Sequence, residues 1–299
     1  MGKIAFVFSG QGDQYPGMGK DLFEKYTVAK EVYEMCDGIR PGTSAQCFEG
    51  TDEELKETIN TQPCLFATEL AAANVLLEKG IVPDAVAGFS LGEVVAATVS
   101  GIFDAETGFM LVCKRGELMQ NEAGKHETSM AAVVKLTSDR VCELCGNYTE
   151  IYPVNFNCPG QVTVSGLTSQ MSDFCNDVKA AGGRAIPLKV KGAFHSPFMK
   201  EAADIFAREL SKVSINSGSI TLYSDVTSEP YGEDAVSLLS SQIASPVQWE
   251  KLIRNMISSG VDCFYEIGPG KTLTNMIKKI DPDVTAVSFT EYLSEVEAC

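Results

Sequence analysis

At 299 residues, with 44% hydrophobic and 21% charged side chains, the chain can bury a large core and is too apolar for extended disorder. Its formal net charge of −16 argues against general nucleic-acid binding, which rewards a basic face. No stretch approaches the roughly 18 apolar residues of a membrane span, and the apolar run at the N-terminus is too short for a signal peptide; a cytoplasmic address is expected.

The run Lys3-Ile4-Ala5-Phe6-Val7-Phe8 reads as a core strand that turns at Ser9-Gly10. The loop Gly10-Gln11-Gly12-Asp13-Gln14 fails the dinucleotide pattern G-x-G-x-x-G, because Tyr15 stands where the third glycine is required. A glycine-rich loop at a strand's C-terminal end can instead present a backbone N–H to an active site, although alone it is only a loop. Helical spacing follows over 65–79, then Ala85-Val86-Ala87 as a short buried strand, then a helical run over 91–100. Gly88-Phe89-Ser90-Leu91-Gly92 therefore lies between a strand and a helix, the context of a nucleophile elbow. There the turn lifts the serine hydroxyl clear of the sheet, and the Leu91 amide faces an oxyanion on the substrate. The bland reading is a structural turn; the strand–turn–helix order favours the nucleophile.

Arg115 sits within a helical run over 109–121. A solvated arginine on a helix face is the default. If its head reaches the Ser90 pocket, the guanidinium offers two parallel hydrogen bonds to a carboxylate and would select a dicarboxylic acyl group.

From about 129 the pattern changes to strand, helix, strand, strand, helix, strand, over 130–136, 138–145, 151–156, 162–165, 169–181 and 185–190. That order is the ferredoxin-like split βαβ unit. The expected organisation is a large α/β core from 1–126 and 191–299 with this small subdomain inserted at 127–190. A late strand, Cys263-Phe264-Tyr265-Glu266-Ile267, closes at Gly268-Pro269-Gly270.

A nucleophilic serine needs a base, and the chain has only two histidines. His126 lies in a polar stretch that reads as an exposed loop, whereas His195 lies in the apolar turn Gly192-Ala193-Phe194-His195-Ser196-Pro197. His195 is the better-placed partner. The ten cysteines are scattered and read as free, mostly buried thiols. Cys142 and Cys145 form the one CxxC, with no histidine near, and read as packing; no metal site is expected. Lys179, Arg184, Lys189, Lys191 and Lys200 form a basic stretch without acidic residues between 178 and 200. It is either a chance surface face or a patch for a phosphorylated or acidic partner.

Taken together, these pieces resemble the malonyl-CoA:acyl carrier protein transacylases of fatty acid synthesis and the related acyltransferases of polyketide synthases. The resemblance runs in order through Gly10-Gln11-Gly12, Gly88-x-Ser90-Leu91-Gly92-Glu93, Arg115-Gly116-x-Leu118-Met119-Gln120, Asn155-x-Asn157-x-Pro159-Gly160-Gln161-Val162, Gly192 to Pro197, Gln242-x-x-x-Pro246-Val247-Gln248-Trp249 and Glu266-x-Gly268-Pro269-Gly270. It implies an α/β-hydrolase-like core with the ferredoxin-like insert. It also implies roles: Ser90 as nucleophile, His195 as base, and the Gln242 carbonyl as the group that orients the imidazole. Gln11 and Leu91 become oxyanion donors, and Arg115 the clamp on the malonyl carboxylate. Asn157 and Gln161 lie where the family builds a substrate rim. Phe194 stands where methylmalonyl-selective relatives carry a smaller residue. Malonyl-CoA and acyl carrier protein are the implied partners, with no metal or redox cofactor, and a monomer is expected. The chain departs from the family at Phe89, where His is usual. A serine hydrolase would use Ser90 and His195 but give Arg115 no task; a non-enzymatic docking protein would need none of the three. A stand-alone acyltransferase loading a polyketide synthase differs only in its carrier protein.

Overall fold

The computed structural model describes residues 2–190, 192–232 and 234–297. Its strands are β1 (Lys3–Phe8), β2 (Ala85–Gly88), β3 (Thr128–Val134), β4 (Ile151–Cys158), β5 (Gln161–Leu167), β6 (Arg184–Pro187), β7 (Thr221–Leu222), β8 (Val261–Ile267) and β9 (Thr285–Ser288). Five of them form one parallel sheet in the order β7-β2-β1-β8-β9. β1 lies at its centre, and Ala5 to Phe8 are fully buried. A parallel strand covered by helices on both faces has no polar side to show, which is why this segment reads as an unbroken apolar run.

The register places Phe8 beside both Gly88 and Ile267, so β1, β2 and β8 end at one edge of the sheet. The loops that follow them, beginning at Ser9, Phe89 and Gly268, therefore emerge side by side, where open α/β sheets carry their sites. The turn after β2 is tight enough to dictate its residues. A Cβ on Gly88 would lie 1.9 Å from the Gly92 carbonyl carbon, and one on Gly92 would lie 2.3 Å from the Phe8 oxygen. Neither backbone can retreat, so both positions require glycine.

The other four strands make an antiparallel sheet in the order β4-β5-β3-β6, the ferredoxin-like arrangement. Helices Ser138–Cys145 and Thr168–Ala180 cover it through Val141, Leu144, Phe174 and Val178, packed on Val162 and Val164. The last strand is shorter than the expected 185–190. Pairing continues only as far as the Leu188 amide, which donates to Met130 O at 2.9 Å; Lys189 and Val190 then leave the sheet to line a cavity. β4 is joined to the larger part of the molecule by two backbone hydrogen bonds of 2.9 Å, Phe156 N–H to Val247 O and Val247 N–H to Val154 O.

Nine cysteines among the described residues are free thiols. Cys145 is buried as packing requires, but Cys142, one turn earlier on the same helix, is exposed. Among the described residues no helix is long and apolar enough to cross a membrane, and no group of three or more His, Cys, Asp or Glu is placed to hold a metal ion.

Candidate active site

Ser90 has a φ of 57°, a left-handed conformation that disfavours side chains and needs support from its surroundings. Both of its peptide groups are held. Its N–H donates to Asp225 Oδ2 at 2.7 Å, and its carbonyl accepts from Gln242 Nε2 at 2.6 Å. The side chain is thereby fixed toward His195, whose Nε2 lies 2.7 Å from Ser90 Oγ.

His195 is likewise left-handed, at φ 62°, and is anchored by its N–H to Ile243 O at 3.2 Å. Its Nδ1 lies 2.9 Å from the Gln242 carbonyl. A carbonyl only accepts, so Nδ1 carries the proton and Nε2 turns a lone pair to the serine. Burial, and then the nearby Arg115 charge, lower the imidazole pKa to about 4, against the opposing pull of its hydrogen bonding to the backbone of Gln242 and Ser245. The ring is neutral at neutral pH. Serine, neutral imidazole and an orienting acceptor can together deprotonate the hydroxyl as it attacks.

Arg115, on the Ala105–Ala123 helix, is fully buried rather than solvated. Its Nη1 donates to Gln62 Oε1 at 2.9 Å, and its Nη2 to Gln242 Oε1 at 2.6 Å and to Ser90 Oγ at 3.2 Å. A guanidinium has five N–H donors, so two remain, and Nε is buried without a partner among the described residues. Native structures rarely leave such a donor unmatched, and a ligand or a water molecule can meet it. Burial lowers the pKa to about 10, partly countered by the neighbouring carboxyl groups, Glu93 before Asp225, so the group stays cationic at neutrality.

These groups face a cavity of about 100 Å³ lined also by Gln11, Gln62, Leu91, Met119, Met130, Asn155 and Phe194. Gln11 and Val190 are shared with a larger groove of about 700 Å³, whose walls carry Lys56, Lys125 and Lys189 beside Glu53 and Glu57. Neither the Gln11 nor the Leu91 amide is engaged by another described residue.

The acyl transferase domain family matches residues 5–289. The malonyl CoA-acyl carrier protein transacylase of Bacillus subtilis strain 168 is 36% identical over 300 residues, covering 97% of this chain and 94% of that protein. This chain belongs to the malonyl CoA-acyl carrier protein transacylase family. Among solved members, the transacylase from Clostridium perfringens superposes with a TM-score of 0.94 at 36% identity, over 99% of this chain and 98% of that one. A type II PKS acyl-carrier protein in complex with its malonyl-transacylase gives 0.94 at 32% identity, over 99% and 98%.

Within this transacylase fold, Ser90, His195, Arg115, Gln11, Leu91 and Phe194 line one cavity, and the Gln242 carbonyl meets His195 behind it. Asn157 and Gln161 do not line the cavity. Asn157 is buried with Nδ2 3.4 Å from Thr163 Oγ1, and Gln161 lies beside Cys158. Asn155 lines it instead. The pairing of β4 with β5 slips between Pro153 and Asn155 and again between Phe156 and Cys158, so strict alternation along the strand is lost. His126 is exposed with its ring 5.1 Å from that of Phe198, remote from the serine in role. Phe89 packs edge-on against the buried Trp249 with ring centroids 5.5 Å apart, and its N–H donates to Phe8 O at 2.9 Å.

Beneath the site lie residues whose part in it was not legible from spacing or motif. Glu93, fully buried, receives Tyr231 O–H at 2.6 Å, Asp225 N–H at 3.1 Å and Gln242 Nε2 at 2.5 Å. Burial raises its pKa to about 7, and those hydrogen bonds, with the Arg115 charge, hold the rise in check. Position 93, three residues past Ser90 in the first helical turn, was the available signal; nothing marked Asp225 or Tyr231.

Proposed function

We propose that the chain moves a malonyl group from malonyl-CoA to the phosphopantetheine thiol of an acyl carrier protein in fatty acid synthesis. The observation that carries this is the buried Arg115 guanidinium, 3.2 Å from Ser90 Oγ with an unmatched Nε–H. A hydrolase acting on neutral acyl groups has no use for a buried cation at that place, whereas an acyl chain ending in a carboxylate does.

Ser90 Oγ attacks the thioester carbonyl while His195 Nε2 takes its proton. The oxyanion is met by the Gln11 and Leu91 amides, each worth roughly 10²–10³ in rate by analogy with other such donors. The C–S bond breaks, coenzyme A leaves with the proton returned by His195, and a malonyl ester remains on Ser90. The carrier thiol then repeats the sequence in reverse sense, releasing Ser90 and forming the new thioester. Asn155, rather than Asn157 or Gln161, belongs to the substrate-facing wall. The same chemistry serves polyketide assembly, and the carrier protein accepted in the second half-reaction separates the two roles.

Intact-mass measurement after mixing with malonyl-CoA tests the reading. One malonyl group should appear on Ser90, with free coenzyme A, before any carrier protein is added. A label on a cysteine, or none, overturns it. Adding fatty-acid and polyketide carrier proteins separately then shows which one discharges the ester.

Lys189 lies on the wall of the larger groove, where the coenzyme A phosphates or an acidic carrier would pass. Of the basic stretch, Lys191 lies outside the described residues, and Lys200 is paired with Asp204 at 2.6 Å. Lys189→Glu should raise KM for malonyl-CoA roughly two- to fivefold at low ionic strength and leave kcat nearly unchanged, as expected for one solvated charge. An unchanged KM assigns Lys189 to the ordinary surface.

A further inference from the structure

The buried network beneath Ser90 contains two carboxyl groups and one cation, and only one of the carboxyl groups has donors on both oxygens. Glu93 receives hydrogen bonds on both oxygens. Asp225, also fully buried, accepts the Ser90 N–H on Oδ2 at 2.7 Å and lies 3.4 Å from Gln242 Nε2, while its Oδ1 has no partner among the described residues. The titratable groups facing it are Glu93 from the Gly92–Val99 helix, Arg115 from the Ala105–Ala123 helix, and Tyr231; His195 is reached through Ser90 and through Gln242. Arg115 makes no direct hydrogen bond to either carboxyl group; its donors go to Gln62, Gln242 and Ser90.

We propose that Asp225 is a positioning residue that works in its neutral, protonated form, holding the Ser90 amide through Oδ2 while Glu93 alone balances Arg115. An ionised carboxylate with one oxygen buried and unpaired is far more costly than a neutral acid there, which forgoes a single hydrogen bond. The charge count points the same way. With both carboxyl groups ionised, Arg115 would sit in a net negative pocket that must still admit an acyl carboxylate. With Asp225 neutral, the pocket is balanced before that group arrives. Burial, and then the Glu93 charge, push the Asp225 pKa well above the usual carboxylate range, in agreement with the geometry. Only the charge count rests on the malonyl-transfer reading; the unpaired oxygen and the clamp on Ser90 do not.

Two measurements test the proposal. In infrared difference spectra at neutral pH, wild type against Asp225→Asn, a protonated carboxyl C=O stretch should be lost in the variant. A lost carboxylate band in its place overturns the proposal. In kinetics with malonyl-CoA, Asp225→Ala should lower kcat roughly 10–100-fold, since the Ser90 N–H is left buried without its acceptor, with KM changed little. Asp225→Asn retains an acceptor oxygen and a neutral charge, and should recover most of that loss. An asparagine variant as impaired as the alanine one, with thermal unfolding showing both folded, would mean that the ionised form is required. Should wild type fail to form the Ser90 ester, the functional reading falls, while the infrared band still decides the charge on Asp225.

Discussion

Replacing His195 with alanine is expected to slow acylation of Ser90 by malonyl-CoA roughly 10²–10⁴-fold, the usual worth of a positioned general base. His126→Ala should leave the rate nearly unaltered. The geometry supports the contrast, since His195 Nε2 is 2.7 Å from the hydroxyl and its far nitrogen is fixed by a carbonyl. The pH profile of the wild type gives an independent check. The base must be neutral to act, and its pKa is lowered from 6.5 to about 4. Acylation should therefore hold its plateau as pH falls through the ordinary imidazole range and decline only near pH 4. The sign for stability follows from the same shift. The unfolded chain takes up this proton below about pH 6.5 and the folded one does not until about 4, so the residue disfavours the folded state increasingly across that window. Stopped-flow release of coenzyme A measures the acylation rate. Equal losses in the two histidine variants, or a decline centred on the unperturbed imidazole value, would contradict the assignment.

Removing the Arg115 head should have an effect of similar size but of a different kind. Two hydrogen bonds to a carboxylate, at about 1.5–3 kcal/mol each, correspond to a loss of roughly 10²–10⁴ in kcat/KM for malonyl-CoA. Acetyl-CoA has no carboxylate to lose, so Arg115→Ala should improve its standing relative to malonyl-CoA. The wild type should reject acetyl because an uncompensated buried guanidinium is an expensive neighbour for a methyl group. Truncation also strips donors from Gln62 and Gln242, so some of the fall is a loss of order around Ser90. The substrate ratio isolates the recognition part. Phe194, buried against the same cavity, should crowd a methyl on the α-carbon. One methylene is worth only about 1–3 kcal/mol, so Phe194→Ser should admit methylmalonyl-CoA modestly. Competition among mixed acyl-CoAs reads both variants, and a wild type that transfers acetyl as readily as malonyl would remove Arg115 from the role of clamp.

Local signals made much of this legible in the sequence. The elbow is written in Gly88 and Gly92, because those glycines answer to backbone atoms only two or three ångströms from where a Cβ would stand. His195 could be found because the chain has so few histidines. The inserted unit showed itself through its order of strand, helix, strand, strand, helix, strand. What stayed hidden depends on contacts between distant segments. Asp225 meets Ser90 across 135 residues of sequence, and Tyr231 meets Glu93 across 138. No spacing rule connects such positions. Asn157 lies off the cavity for a subtler reason. Strand periodicity is dependable only where the ladder is regular, and β4 slips twice in eight residues.

Gln242 deserves a different kind of experiment from its neighbours. Its main-chain oxygen meets the imidazole, while its side-chain amide grips the Ser90 carbonyl, Glu93 and Arg115. A substitution scan reaches only the amide, because every replacement residue brings the same carbonyl. The residue would thus be ranked by half of what it does. Replacing the peptide link between Gln242 and Ile243 with an ester weakens that oxygen as an acceptor and leaves every side chain in place. Protein semisynthesis, rather than codon change, is the route to measuring how strongly a main-chain group substitutes for the aspartate of a catalytic triad.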